Sequence, residues 1–202
     1  MTRLLLIRHA PTAETGTKLT GRKAGVGLEA AGNDVAAATA AALANVELAA
    51  VYSSPVLRCR QTARVIAEPH GLEVVQYRSL TEVDYGSWTG RSLGSLRRTK
   101  LWRQLLEAPS RARFPGGELL GEATARAVRS CEELAATHPK DTIALVSHGD
   151  VIKGALAHYL GTPVDLFQRL WIAPGSWSII DLPAAGMPHV IAVNRVAPGN
   201  PS

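Results

Sequence analysis

Two stretches of the chain lead apolar residues straight into ionisable ones. In LLLIRHAPT, Leu4–Ile7 run into Arg8 and His9; in TIALVSHGD, a similar run ends at His148 and Gly149. A buried strand normally excludes such side chains, because desolvating them without a partner is costly. A bound anion or a nearby carboxylate would offset that cost. A second guanidinium, Arg58, falls one turn into the helix expected after the apolar run AAVYSS. Two guanidiniums and two imidazoles make a donor set suited to a phosphoryl group, since arginine pairs bidentately with its oxygens. Either histidine alone reads as well as a hydrogen-bonded core residue. Two of them at equivalent strand ends, with arginines beside them, point to a site.

Such a site needs elements that converge. Short apolar runs alternate with helical patterns: LLLIRH, a helix near Leu28 to Val46, AAVYSS, and a helix from about Pro55 to Glu68 with Ser54 as cap and Pro55 in its first turn. Leu93, Leu96, Leu101 and Leu105 then share one face of a helical region from Ser92 to Leu106. A loop from Pro109 to Glu118 leads into a long amphipathic helix ending near His138, then the run TIALVS and the helix VIKGALAHYL. This alternation predicts a three-layer α/β/α sandwich with a mostly parallel central sheet. It predicts one domain over 1–202, with a small helical cap inserted at roughly 88–117. Open sheets of this kind bind ligands at the carboxyl ends of their strands. If the strands ending at His9 and His148 are neighbours, both imidazoles meet there.

At 202 residues, 46% hydrophobic and 19% charged, the chain can bury a proper core. The Ala-rich run Val35–Val46 is too short to span a bilayer, and Arg8 and His9 interrupt the first apolar run before it resembles a secretory signal. A cytoplasmic protein without membrane partners is expected. Cys59 and Cys131 form neither a disulfide framework nor a metal-ligand spacing, so reduced structural thiols are expected. The net charge of +5 is spread along the chain without a basic block, which argues against nucleic acid and suits a small anionic substrate. Other phosphate-handling patterns fail. GVGLEAAG (Gly25–Gly32) has the wrong glycine spacing and follows a polar segment, and Cys59 and Arg64 are one residue too close for a cysteine-dependent phosphatase. His148 and His158 lack zinc spacing, and no cofactor or metal is expected.

The ordered set of motifs resembles the histidine phosphatase superfamily, the phosphoglycerate mutase-like proteins. RHAPT (Arg8–Thr12) is similar to that family's Arg-His-Gly-x-Thr signature, and SSPVLRCRQTA (Ser53–Ala63) to its second arginine motif. LTEVDYGSWTG (Leu80–Gly90), PGGE (Pro115–Glu118) and VSHGDVI (Val146–Ile152) complete the series. The resemblance implies that His9 is a nucleophile forming a phosphohistidine, and that Arg8, Arg58 and His148 hold the equatorial oxygens without a metal. It implies that Glu82 is the proton donor, a role no local pattern marks, with Glu118 in reserve. Thr15, Thr20, Gly21 and Gly149 are implied as supporting substrate contacts.

Two departures matter. Ala10 stands where the family usually has glycine, so the backbone there must tolerate a Cβ. Mutases of the family grip a carboxylate with a lysine and an arginine pair. Here Leu93 occupies the lysine position, and Arg97 and Arg98 come too early. Water is therefore the expected acceptor, giving a phosphomonoester hydrolase acting on a small phosphorylated metabolite. The alternatives are a phosphomutase and a non-catalytic phosphate-binding module. Leu93, Leu96 and Trp102 fit core packing and a homodimer face equally well.

Overall fold

The apolar run Leu4–Ile7 is unbroken because β1 (Thr2–Arg8) is covered on both faces. Leu4 and Leu6 enter one cluster of buried side chains, and Leu5 and Ile7 the other, as the two-residue period of a strand requires. The structure is a computed structural model and describes residues 1–200. β2 (Ala50–Ser53) pairs in parallel with β3 (Val74–Gln76) on one side and with β4 (Thr142–Ser147) on the other. β4 in turn runs parallel to β1, with Leu4 opposite Ile143 and Arg8 opposite Ser147. β5 (Trp177–Leu182) is antiparallel to β1, and β6 (His189–Arg195) is antiparallel to β5. The sheet order is β3-β2-β4-β1-β5-β6. Across the β1–β5 pair, Arg3 meets Asp181 through two hydrogen bonds of 2.7 Å, so a buried acid on an apolar strand is paired.

Helices α1 (Ala30–Leu43) and α2 (Leu57–Ala67) contribute Ala40, Leu43, Ala63 and Ile66 to the cluster that holds Leu5 and Ile7. The segment between 88 and 117 carries two short helices, α3 (Leu93–Leu96) and α4 (Lys100–Glu107). Helices α5 (Leu120–Thr137) and α6 (Gly149–Tyr159) cover the opposite face of the sheet, joining Leu4 and Leu6. Leu96, Leu105 and Phe114 belong to that same cluster, so this segment is continuous with the main core. Leu96 is fully buried and Trp102 stacks on Trp88 with ring centroids 6.4 Å apart, which is core packing.

Three local expectations change. The helix expected over Ser92–Leu106 is broken in two. Ser92 Oγ accepts from Ser95 N and Thr99 Oγ1 from Trp102 N, each at 3.2 Å, so each hydroxyl starts a new helix where one continuous helix would run. Ser54 does not cap α2, which begins at Leu57 with Val56 at the cap position and no side-chain cap. Its hydroxyl faces His148 instead. The first helix is Ala30–Leu43, shorter at both ends than Leu28 to Val46.

The connections explain why the site lies where it does. From β1 the chain leaves to the face covered by α1; from β4 it leaves to the face covered by α6. Adjacent parallel strands whose exits diverge leave a crevice at their carboxyl ends.

Candidate active site

That crevice is where β1 and β4 deliver their histidines. His9 N donates to Ser147 O at 3.0 Å and Arg8 N to Ser176 O at 3.0 Å, so the chain stays clamped beyond the end of β1. Ala10 is fully buried, its N donates to Thr62 Oγ1 at 3.1 Å, and its φ is not positive. The Cβ that replaces the family's glycine hydrogen is therefore accommodated. The rings of His9 and His148 meet edge to face, with centroids 5.3 Å apart.

Hydrogen bonds fix the state of both rings. His9 Nδ1 lies 2.8 Å from Ala10 O, which can only accept, so Nδ1 carries the proton. The Nε2 lone pair then faces Arg58 Nε, which donates to it at 3.0 Å. Arg58 Nη2 also lies 3.0 Å from His148 Nδ1 and donates to Gly21 O at 2.9 Å. Because a guanidinium is donor only, Nδ1 of His148 is the acceptor and its Nε2–H points to Ser54 Oγ at 2.8 Å. Burial, reinforced by the neighbouring arginines, holds both imidazoles well below the ordinary histidine range. Both are neutral at physiological pH, the state a nucleophilic ring requires.

Glu82 completes the cluster. It is 7% exposed, and its Oε2 lies 3.5 Å from His148 Nδ1 and 3.8 Å from Arg58 Nη2. Burial pushes its carboxyl up to about 7; Asp150 adds to the shift and Arg58 opposes it. Near neutrality this group is able both to give and to take a proton.

The cleft holding these residues has a volume of about 440 Å³. Thr15, Thr20, Gly21 and Gly149 all line it together with Arg8, His9, Arg58 and Glu82, whereas His148 is fully buried behind the wall and does not. Gly149 opens α6 beside Arg8: a Cβ there would lie 3.3 Å from Arg8 Nε. Arg8 Nε and Arg58 Nη1 are buried and have no hydrogen-bond partner among the described residues. Two unmatched guanidinium donors and a helix N-terminus form a cradle for a tetrahedral anion, with the Nε2 face of His9 beside them.

Several contributors had no mark in the sequence. Asp150 accepts from Tyr85 Oη at 2.8 Å and sits 3.6 Å from Lys153 Nζ. Its place directly after His148 and Gly149, in the first turn of α6, was the available signal. Arg97, set aside on spacing, does line the cleft with Leu93. Glu118 is not a proton donor in reserve. Its Oε1 accepts from Arg126 Nη2 at 2.8 Å, Arg22 Nη2 at 3.2 Å and Asp84 N at 2.8 Å. Arg22 Nε in turn donates to Glu82 O at 2.8 Å. Glu118 thus anchors the segment that carries Glu82.

Cys59 Sγ is 3.4 Å from His148 Nε2, but burial pushes its thiol up to about 12, as it does for Cys131. Neither supplies a thiolate nucleophile. Among the described residues no three His, Cys, Asp or Glu side chains are grouped to hold a metal ion, and no helix is long and apolar enough to cross a membrane.

The family model for the histidine phosphatase superfamily (branch 1) matches residues 4–195, and the chain belongs to that family. It is 30% identical to phosphoserine phosphatase 1 of Hydrogenobacter thermophilus over 187 residues, covering 90% of this chain and 87% of that one. It is also 30% identical to a probable phosphoglycerate mutase GpmB of Yersinia enterocolitica, over 90% of this chain and 85% of the relative. The structure of YhfR from Bacillus stearothermophilus superposes with a TM-score of 0.90 at 26% identity, over 97% of this chain and 98% of that one.

Proposed function

We propose that this protein hydrolyses a small phosphomonoester by way of a phosphohistidine at His9. The observation that carries the reading is the fixed tautomer of His9, whose Nε2 lone pair faces Arg58 inside the cleft. Arg58 Nε gives up its hydrogen bond to Nε2 as the guanidinium turns to the incoming phosphoryl oxygens. Nε2 then attacks phosphorus as the bond to the leaving oxygen breaks, and protonated Glu82 gives its proton to that oxygen. Arg8, Arg58 and the first turn of α6 hold the equatorial oxygens while charge redistributes, and His148, whose N–H is held by Ser54, orients Arg58 through Nδ1. Water then attacks the phosphohistidine, Glu82 takes a proton from it, and the P–N bond breaks to return neutral His9. The guanidiniums supply the positive charge that a metal provides elsewhere.

Relatives named for phosphoserine and phosphoglycerate support a small phosphate ester as substrate. Arg97, on the cap side of the cleft, favours a leaving group that itself bears negative charge. The test is phosphate release from sugar phosphates, hydroxy-acid phosphates, phosphoserine, nucleotides and phosphohistidine by chelator-treated protein, with His9→Ala as control. Release by the parent protein alone is expected; equal release by both removes His9 from the reaction. A phosphomutase is the second reading, supported by the mutase-named relative. Labelled phosphate retained on a carbon-bound oxygen, with none set free, would select it.

A further inference from the structure

Immediately behind the active site lies a second cleft that the reaction does not use. Its volume is about 630 Å³, and its wall includes Arg22, Lys23, Arg60 and Arg78 with no carboxylate and no aromatic ring. Arg60 Nε is shielded from solvent yet has no hydrogen-bond partner among the described residues. Arg22 and Lys23 are held by acids outside the cleft, at Asp84, Glu118 and Glu14, whereas Arg60 and Arg78 have no ion-pair partner among the described residues. A buried guanidinium nitrogen left unmatched is an exception in folded proteins and calls for an acceptor. Val56 and Leu57, at the N-terminal end of α2, form another part of the wall, and the first turn of that helix contains no acid.

We propose that this cleft binds a small phosphate-bearing anion, separate from the ester that is hydrolysed. Bidentate guanidiniums match tetrahedral oxyanions, and the volume accommodates a ligand with several charges. The absence of any aromatic ring in the wall disfavours single-stranded nucleic acid, which binds by stacking as well as by charge.

The two clefts share their walls. Thr20 and Gly21 line the active site, while the next residues, Arg22 and Lys23, line the second cleft. Arg58 faces the first, while Leu57 and Arg60 face the second; Glu82 faces the first and Thr81 the second. Arg22 joins them directly, because its Nε holds Glu82 O. An anion that engages the Arg22 guanidinium therefore alters the hold on the proton donor. This last step rests on Glu82 being that donor, whereas binding itself does not.

The experiment is calorimetric titration at low ionic strength with inorganic pyrophosphate as probe. The parent protein should bind two equivalents, and Arg60→Ala/Arg78→Ala should bind one, with the lost site weakened at least about tenfold. Arg58→Ala should keep the site that the double variant loses. The exposed single variant Arg78→Glu, which does not endanger folding, should weaken the same site. Two equivalents in every variant, or one in the parent that only Arg58→Ala removes, would overturn the proposal. So would a twelve-base single-stranded oligonucleotide that outcompetes pyrophosphate at the site the double variant loses. If the double-variant site persists while no ester is hydrolysed, the hydrolase reading fails and the second cleft stands.

Discussion

Glu82 Oε2 lies 3.5 Å from Nδ1 of His148, on the same ring atom that accepts a hydrogen bond from Arg58. The proton donor and the cationic cradle are therefore one connected unit, and what the acid does with pH follows from its burial. With its carboxyl pushed up to about 7, kcat/KM should fall as pH rises through about 7, because the protonated form is lost. Glu82→Gln should lower kcat for alkyl phosphates by about 10²–10⁴-fold and much less for aryl phosphates, whose leaving oxygen needs no proton. Initial rates across pH with both ester types check this.

The same group affects stability. Its pKa is raised from 4.5 in the folded state, so its stabilising contribution is fully present below about 4.5 and is lost as pH rises through about 7. The span corresponds to roughly 3 kcal/mol. Thermal unfolding should show Glu82→Gln gaining on the parent protein between pH 5 and pH 8; a gap that does not change with pH would contradict the burial argument.

Removing the nucleophile and removing one of its cradle groups should differ in size. His9→Ala should lower kcat by at least about 10⁴-fold. Arg8→Ala and Arg58→Ala should each cost on the order of 10²–10³-fold, as deletion of one transition-state donor does, and His148→Ala should cost less, because that ring acts by orienting Arg58. Rapid quench with labelled ester should trap an acid-labile phosphoryl adduct in the parent protein and none in His9→Ala.

Glu118 acts through the backbone of the Glu82 segment. Glu118→Gln weakens the grip of Arg22 and Arg126 and should lower kcat about tenfold while KM changes less than about twofold. The decisive readout is the pH profile, whose alkaline limb should move with the variant; an unchanged profile with uniformly reduced activity would make Glu118 merely structural.

Gly117 tests the same segment sterically. A Cβ at Gly117 would lie 2.1 Å from Asp84 O, and one at Gly86 2.1 Å from Pro115 O, because the two backbones touch. Gly117→Ala should therefore destabilise by about 3 kcal/mol or more, seen as a lower denaturation midpoint, and should reduce hydrolysis by displacing Glu82.

How much of this was legible in the sequence depends on how far apart the interacting residues are. His9 and His148 could be found because an apolar run ending in an ionisable residue is a local pattern, and Arg58 because it falls one turn into a helix. Glu82 carries no local pattern and emerged only through the family resemblance. The bonds that hold it link positions 60 and 96 residues apart, Arg22 to Glu82 and Arg22 to Glu118, and no periodicity encodes such pairs. The glycines of PGGE were the nearest hint, since two backbones in contact leave no room for side chains. Ser54 misled for the opposite reason: a residue type that commonly caps a helix is used to orient a ring.

Both imidazoles hang from the innermost strands of the sheet, whereas the acid rides on a connecting segment secured by distant side chains. Gentle chemical denaturation should consequently silence the two halves of the machine in order. Partly loosened molecules would go on accepting phosphoryl groups from activated donors after they had ceased to cleave unactivated ones.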